Sequence, residues 1–400
     1  MQTLEAVMQI VTPMFSRGAD DKATTAELRS QSVKGMIRFW YRATVLAKYG
    51  TWQKVQEVER IVFGSSDTGQ GIFQLTVDDS NVKSAFERND SEILKAGCAY
   101  LGYGPVTYEK EIKKNQITRP YLKADGSFTV KLFFRFRPGD EQHEEHIQDI
   151  QTALKAWGLL GGMGARSRRG FGSVCLDKLI YEKKVIWEKP KNIEELRKEI
   201  GTLLQTCGAA LSQLPAYSAL SCKSKVALVV KGKQALDVLH EVGSEMIRYR
   251  SFGIDPQNTG IRRLPGLKEE QRNPSFTRDH TWMCNVKDNE IITELPERLI
   301  FGLPSGYKYN IWIGQQSRRS SPLFIHIQPI GNEYIAVLTM LPAVFWNDSE
   351  ILVEQGRRKV AALSGATVQN FEVIETFMNR LIKRFPNEST IMPQSRKENV

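Results

Sequence analysis

The six residues Glu59-Arg60-Ile61-Val62-Phe63-Gly64 return almost unchanged as Glu297-Arg298-Leu299-Ile300-Phe301-Gly302. Upstream of each copy stands the tripeptide Met-Ile-Arg, at 36–38 and again at 246–248. Two matches in the same order point to a duplicated unit, and duplication restricts the fold more than any single segment does. The chain has 400 residues, more than one core organises comfortably, which also favours two domains.

The first copy can be read from its periodicities. Residues 3–12 place Leu4, Ala6, Met8 and Ile10 on one side and predict a strand that Pro13 ends. A polar loop from Ser16 to Glu27 leads into a basic helix, and 57–66 closes on a Phe-Gly-Ser-Ser turn before a strand at 71–79. In 128–137, Phe128, Val130, Leu132, Phe134 and Phe136 alternate inward, with Lys131, Phe133, Arg135 and Arg137 outward. An amphipathic helix follows with the stripe Ile147, Ile150, Leu154, Trp157, then a glycine-rich loop at 161–172 and a strand at 173–181. The order β-α-β-β-α-β is ferredoxin-like or RRM-like. Residues 80–127, polar and rich in tyrosine, read as an insertion outside the core.

The second copy begins with a strand at 226–230 and a helix at 234–250, and continues with a hairpin over 321–342 turning at Gly331-Asn332. A final helix spans 368–385. The expected fold class is therefore α+β, with two ferredoxin-like (RRM-like) domains in tandem at 1–185 and 223–385. A helical linker covers 186–222, insertions lie at 80–127 and 253–296, and a disordered tail occupies 386–400.

Charge narrows the partner. The formal net charge of +10 favours a polyanion, with nucleic acid ahead of an anionic membrane surface. No stretch is apolar enough to span a bilayer, and the N-terminus lacks the pattern of a signal peptide. Five cysteines, odd in number and never spaced CxxC, fit free thiols in a reducing cytoplasm better than a zinc knuckle or disulfides.

The charge has a local form. From Leu28 to Gly50 there are five basic residues and no acidic one. Within 32–43, Lys34, Arg38 and Arg42 fall at i, i+4 and i+8 on one helical face, with Ser32 as the expected N-cap and Gly35 in the first turn. Such a ridge is either a buried helix whose cations snorkel or a rail for phosphates. The loop GGMGARSRRGFG carries Arg166, Arg168 and Arg169 with no acid nearby, and GQQSRRSSP repeats the theme with Arg318 and Arg319. It is not a Walker A loop, since a helix precedes the glycines and a strand follows, so the adjacent helix end is negative. Catalytic groupings are thin. His143-Glu-Glu-His146 has the wrong spacing for a zincin and reads as solvated, Asp20-Asp21 and Asp78-Asp79 as solvent-facing, and His240, His280 and His326 stand apart.

Taken together, ELRSQSVKGMIRFWYRA, VFGSS, GGMGARSRRGFGSV, IFGLP and RRSSPLFIHI closely resemble the RAMP superfamily (repeat-associated mysterious proteins), and within it the subunits numbered one of type III-B CRISPR effectors, the Cmr complexes. The resemblance implies a non-catalytic RNA-binding subunit that binds near the 3′ part of CRISPR RNA, helps to capture target RNA, and contacts other RAMP subunits of the Cmr complex; the alternatives are a RAMP endoribonuclease that processes repeat RNA and a purely structural adaptor between subunits. It implies no small-molecule cofactor and no membrane. Carried over by position, Lys34, Arg38, Trp40 and Arg42 lie on the family's basic helix, and Gly161, Gly162, Gly164, Arg166, Arg168 and Arg169 on its glycine-rich loop; Arg29, Gly35, Arg248, Arg318 and Arg319 complete the expected RNA-binding set. Tyr41 departs from that pattern, which leads one to expect a second tryptophan.

Overall fold

The computed structural model describes residues 2–18, 24–135, 139, 141–250, 274–315, 318–346, 350–364, 369–386 and 390–392. The first unit starts with β1 (Thr3–Ile10) and continues through α1 (Ser30–Tyr49) and α2 (Trp52–Phe63). A small pair, β2 (Gly64–Ser65) and β3 (Gly69–Gln70), precedes β4 (Phe73–Asn81). An excursion follows: β5 (Ser84–Ala85), α3 (Ala96–Leu101), the hairpin β6 (Val106–Glu109) and β7 (Lys114–Ile117), and β8 (Tyr121–Leu122). The unit closes with β9 (Ser127–Phe134), α4 (His143–Leu160), β10 (Val174–Tyr181) and β11 (Lys184–Glu188). The sheet order β11-β10-β1-β9-β4, antiparallel throughout, contains the ferredoxin-like order of strands four, one, three and two, extended by an edge strand. The predicted parity holds: Leu4, Ala6, Met8 and Ile10 with Phe128, Val130, Leu132 and Phe134 are buried beneath α1 and α4. Phe136 and Arg137 lie outside the described residues.

Downstream come α5 (Ile193–Gly208), β12 (Lys225–Gly232), α6 (Ala235–Arg250), α7 (Pro274–Lys287), β13 (Ser305–Tyr307), β14 (Ile311–Ile313), β15 (Leu323–Ile330) and β16 (Glu333–Met340). β17 (Glu350–Gln355), β18 (Arg358–Ser364), α8 (Glu372–Arg384) and β19 (Thr390–Met392) complete the chain. The order β15-β16-β12-β19 is again two, three, one, four, so the topology is duplicated along with the echoed motifs. A second sheet, β13-β14-β17-β18, has no counterpart in the sequence reading. α8 buries Val373, Ile374, Phe377, Met378 and Leu381, each contributing about 1.5–3 kcal/mol of apolar burial.

Three expectations change. The 80–127 excursion is not outside the core: Ile93, Cys98, Leu101, Val106 and Ile117 are buried in the apolar cluster of the second unit. The helix of the supposed linker, α5, packs Leu196, Ile200, Leu203 and Leu204 into the first unit's core. Within the expected tail, Thr390–Met392 forms β19 and pairs with β12, while 393–400 lie outside the described residues. Of the 253–296 segment, residues 253–273 also lie outside them, and its remainder holds α7.

Candidate nucleic-acid interface

The basic ridge of α1 has an acid after all. Glu59, on the antiparallel α2, is buried and accepts from both Arg38 and Arg42, the Arg42 Nη2–Oε1 distance being 2.7 Å. That hydrogen bond, together with the charge of Glu59, holds the Arg42 guanidinium above its usual range against the opposing effect of burial. Lys34 donates to the Phe63 carbonyl at 2.9 Å, near the C-terminal end of α2, and burial followed by the neighbouring Arg38 lowers its pKa. Trp40 is fully buried, with Phe39 and Phe324 at 5.4 and 5.7 Å between ring centroids. It is a core residue and not an accessible ring. The ridge belongs mainly to the packing of α1 on α2.

The glycine-rich loop is also largely internal. Arg168 donates to the Ser321 carbonyl at 2.5 Å and lies over the Phe324 ring at 4.3 Å. Arg169 donates to the Phe301 carbonyl at 3.2 Å. Burial brings both guanidinium groups down to about 10, helped by Arg319 beside Arg168 and Arg250 beside Arg169. Arg319 reaches the Val344 carbonyl at 2.8 Å, and Arg248 pairs with Glu245 at 3.4 Å. These side chains fasten the two units to each other or to their own helices. Gly161 faces Trp40, and a Cβ at Gly162 would meet the Gly172 carbonyl 2.6 Å away. Both glycines are buried, and each allows a close internal approach. Arg318 and Gly35 are exposed, and a Cβ at Gly35 would meet nothing within 4 Å.

The open site lies one step away. Phe15 bridges to Ala165 of the glycine-rich loop on one side, with Ala165 N–H donating to its carbonyl at 2.8 Å. On the other side, Met14 pairs with Leu122 of the excursion. This places Phe15–Arg17, Arg119–Pro120, Met163–Ala165 and the start of α1 around a cleft of about 280 Å³, lined by Arg17, Arg29, Arg119 and Ser32. Among the described residues that line it there is no carboxylate. Glu27 is the nearest acid in sequence to Arg29, and its carboxylate lies against Gly18. α1 begins at Ser30, two residues before the expected N-cap, with Arg29 in the cap position making no side-chain capping bond and no acid in the first turn. The uncapped N–H groups and the partial positive charge of a 20-residue helix therefore face a basic cleft. Gly164 is required here: its φ is +89°, and a Cβ would sit 2.7 Å from the Phe15 carbonyl. The helix end that serves this loop is that of α1, not the negative end of α4. Arg17 and Arg119 were missed in the sequence because each stands alone there.

Other sequence candidates resolve structurally. His143 and His146 are buried, not solvated, with His143 Nε2 at 2.9 Å from Gln2 Oε1. On the outward sheet face, Lys131 pairs with Glu5 at 3.3 Å and Arg135 donates to Gln70. Asp20 and Asp21 lie outside the described residues. Among the described residues no group of three or more His, Cys, Asp or Glu could hold a metal ion, and no helix is long and apolar enough to cross a membrane.

Residues 7–175, which include the second half of β1, all of α1 and every segment of the cleft, match the family model described as the RAMP superfamily. CRISPR system Cmr subunit Cmr1-2 of Pyrococcus furiosus is 27% identical over 184 residues, covering 43% of this chain and 94% of that protein. Cmr subunit Cmr1-1 of the same organism is 28% identical over 256 residues, covering 60% of this chain and 71% of that one. The crystal structure of Cmr1 from Pyrococcus furiosus in its apo form superposes with a TM-score of 0.58 at 19% identity over 98% of both chains, which shows a shared fold. The duplicated ferredoxin-like topology and the matched N-terminal segment together make this chain similar to proteins of the RAMP superfamily and to Cmr1 subunits.

Proposed function

We propose that this chain is a non-catalytic RNA-binding subunit of a type III-B Cmr effector complex, holding RNA in the cleft at the start of α1. Its partners are CRISPR RNA, near the 3′ part of the guide, target RNA, and other RAMP subunits of the complex. The observation that carries this reading is the convergence of Arg17, Arg29 and Arg119 on the uncapped helix N-terminus. Guanidinium groups and helix N–H groups are the two protein features best matched to a phosphodiester. Similarity to Cmr1 subunits supports the assignment to a Cmr complex. Of the sequence-derived candidates, Arg29, Gly35, Arg42, Gly164, Arg166 and Arg318 stay accessible.

Because such contacts address the backbone, binding discriminates weakly between sequences and weakens steeply with salt. The test uses the full chain and a labelled single-stranded RNA. Arg29→Glu with Arg119→Glu is expected to weaken binding at least about tenfold while the protein stays folded. Unchanged affinity overturns the site, and turnover of the RNA overturns the non-catalytic assignment.

A further inference from the structure

Beside the cleft, one aromatic ring stands in water with no apolar reason to do so. Tyr103, in the turn after α3, is 70% exposed. It is not a loose side chain on a loose loop. Its N–H donates to the Tyr100 carbonyl, and Tyr103 bridges to Val106. The following Pro105 accepts from both the N–H and the hydroxyl of Thr118, at 2.8 and 3.0 Å. Thr118 precedes Arg119, so the turn that carries the ring is tied directly to a wall of the cleft.

The opposite wall reaches the same ring. Ala165 lines the cleft, and the next residue, Arg166, lies with its guanidinium over Tyr103 at 5.9 Å from the ring centroid. Arg166 holds a φ of +64°, a left-handed conformation that a side chain other than glycine's rarely adopts. Gly104, at φ +109°, makes room, since a Cβ there would sit 3.1 Å from Arg166 Nη2. Backbone strain on one side and a glycine on the other both serve to keep a cation on this ring.

We propose that Tyr103 is a base-stacking platform for single-stranded RNA whose backbone lies in the cleft. A base stacks on the exposed part of the ring, and Arg166 holds the ring in place while offering its charge to the neighbouring phosphate. The proposal rests on the RNA reading of the cleft and adds a contact to the bases, which that reading lacks.

The experiment measures the affinity of the full chain for an oligouridylate and for the same oligomer made abasic. Tyr103→Ala is expected to weaken oligouridylate binding roughly 5- to 100-fold and to leave abasic binding within about twofold. Tyr103→Phe and Tyr103→Trp are expected to retain wild-type affinity. No loss on oligouridylate, or an equal loss on both oligomers, overturns the platform. Arg29→Glu with Arg119→Glu separates the two readings, because it should weaken both oligomers. If it weakens neither, the cleft itself is wrong, and if it weakens both while Tyr103→Ala weakens neither, only the platform falls.

Discussion

Gly161 lies edge-on to the indole of Trp40, so close that a Cβ at 161 would stand 2.6 Å from Trp40 Nε1. The backbone at 161 is extended and tolerates any residue, so the restriction is steric alone. Trp40 is fully buried against Phe324 and cannot swing away. Gly161→Ala is expected to lower stability by about 1–3 kcal/mol, as overpacking does. Chemical denaturation checks it, and a neutral result would mean that α1 and the loop are not seated on each other.

Glu59 invites a second measurement. Removing its charge leaves Arg38 and Arg42 to share one neutral amide oxygen in place of a carboxylate, but both are about two-fifths exposed and water screens part of the loss. Glu59→Gln is expected to cost about 1–3 kcal/mol. Arg38→Ala should likewise lower stability more clearly than RNA affinity. A variant of Arg38 that stays as stable as wild type yet loses RNA would return the ridge to the binding site.

The cleft and the loop arginines should separate in salt titrations. Arg29→Ala with Arg119→Ala is expected to lower the slope of log affinity against log salt by roughly one to two units. Arg168→Ala with Arg169→Ala should destabilise the fold and leave that slope unchanged, because both guanidinium groups are buried against carbonyls and rings.

His326 predicts an acid limb. It is fully buried, with Nε2 2.8 Å from Gln328 Oε1, and burial depresses its pKa to about 4 from the usual 6.5. The unfolded chain then binds the proton first as pH falls. The stability this provides is complete above about pH 6.5 and lost as pH drops through 4, up to about 3 kcal/mol. His326→Gln should flatten the dependence in that window when denaturation is followed at several pH values, and an unchanged acid limb would assign it to other groups.

How much of this could be read from the residues depends on range. Alternation and amphipathic stripes are local, and they located β1, β9 and α4 with their inward faces correct, while the Gly331-Asn332 turn located the β15–β16 hairpin. The Met-Ile-Arg and Glu-Arg echoes pointed to a duplication that the two sheet orders repeat. Satisfaction of charge is not local. The stretch from Leu28 to Gly50 holds no acid, yet α2 folds back and supplies Glu59, which turned an apparent phosphate rail into helix packing. The same limit hid the cleft. Arg17, Arg29 and Arg119 are separate in the chain, and only the pairing of Met14 with Leu122 and Phe15 with Ala165 brings them together.

In the contact between α3 and α6, Gly97 and Gly243 touch backbone to backbone, Gly97 N–H reaches His240 Nδ1 at 3.2 Å, and Lys95 pairs with Asp237. Because α3 is embedded in the first unit and α6 opens the second, each copy has surrendered part of its interior to its sibling. Cutting the chain between them would leave Ile93, Cys98 and Leu101 facing solvent. At this contact the two halves share one interior, and their cores are not separable bodies.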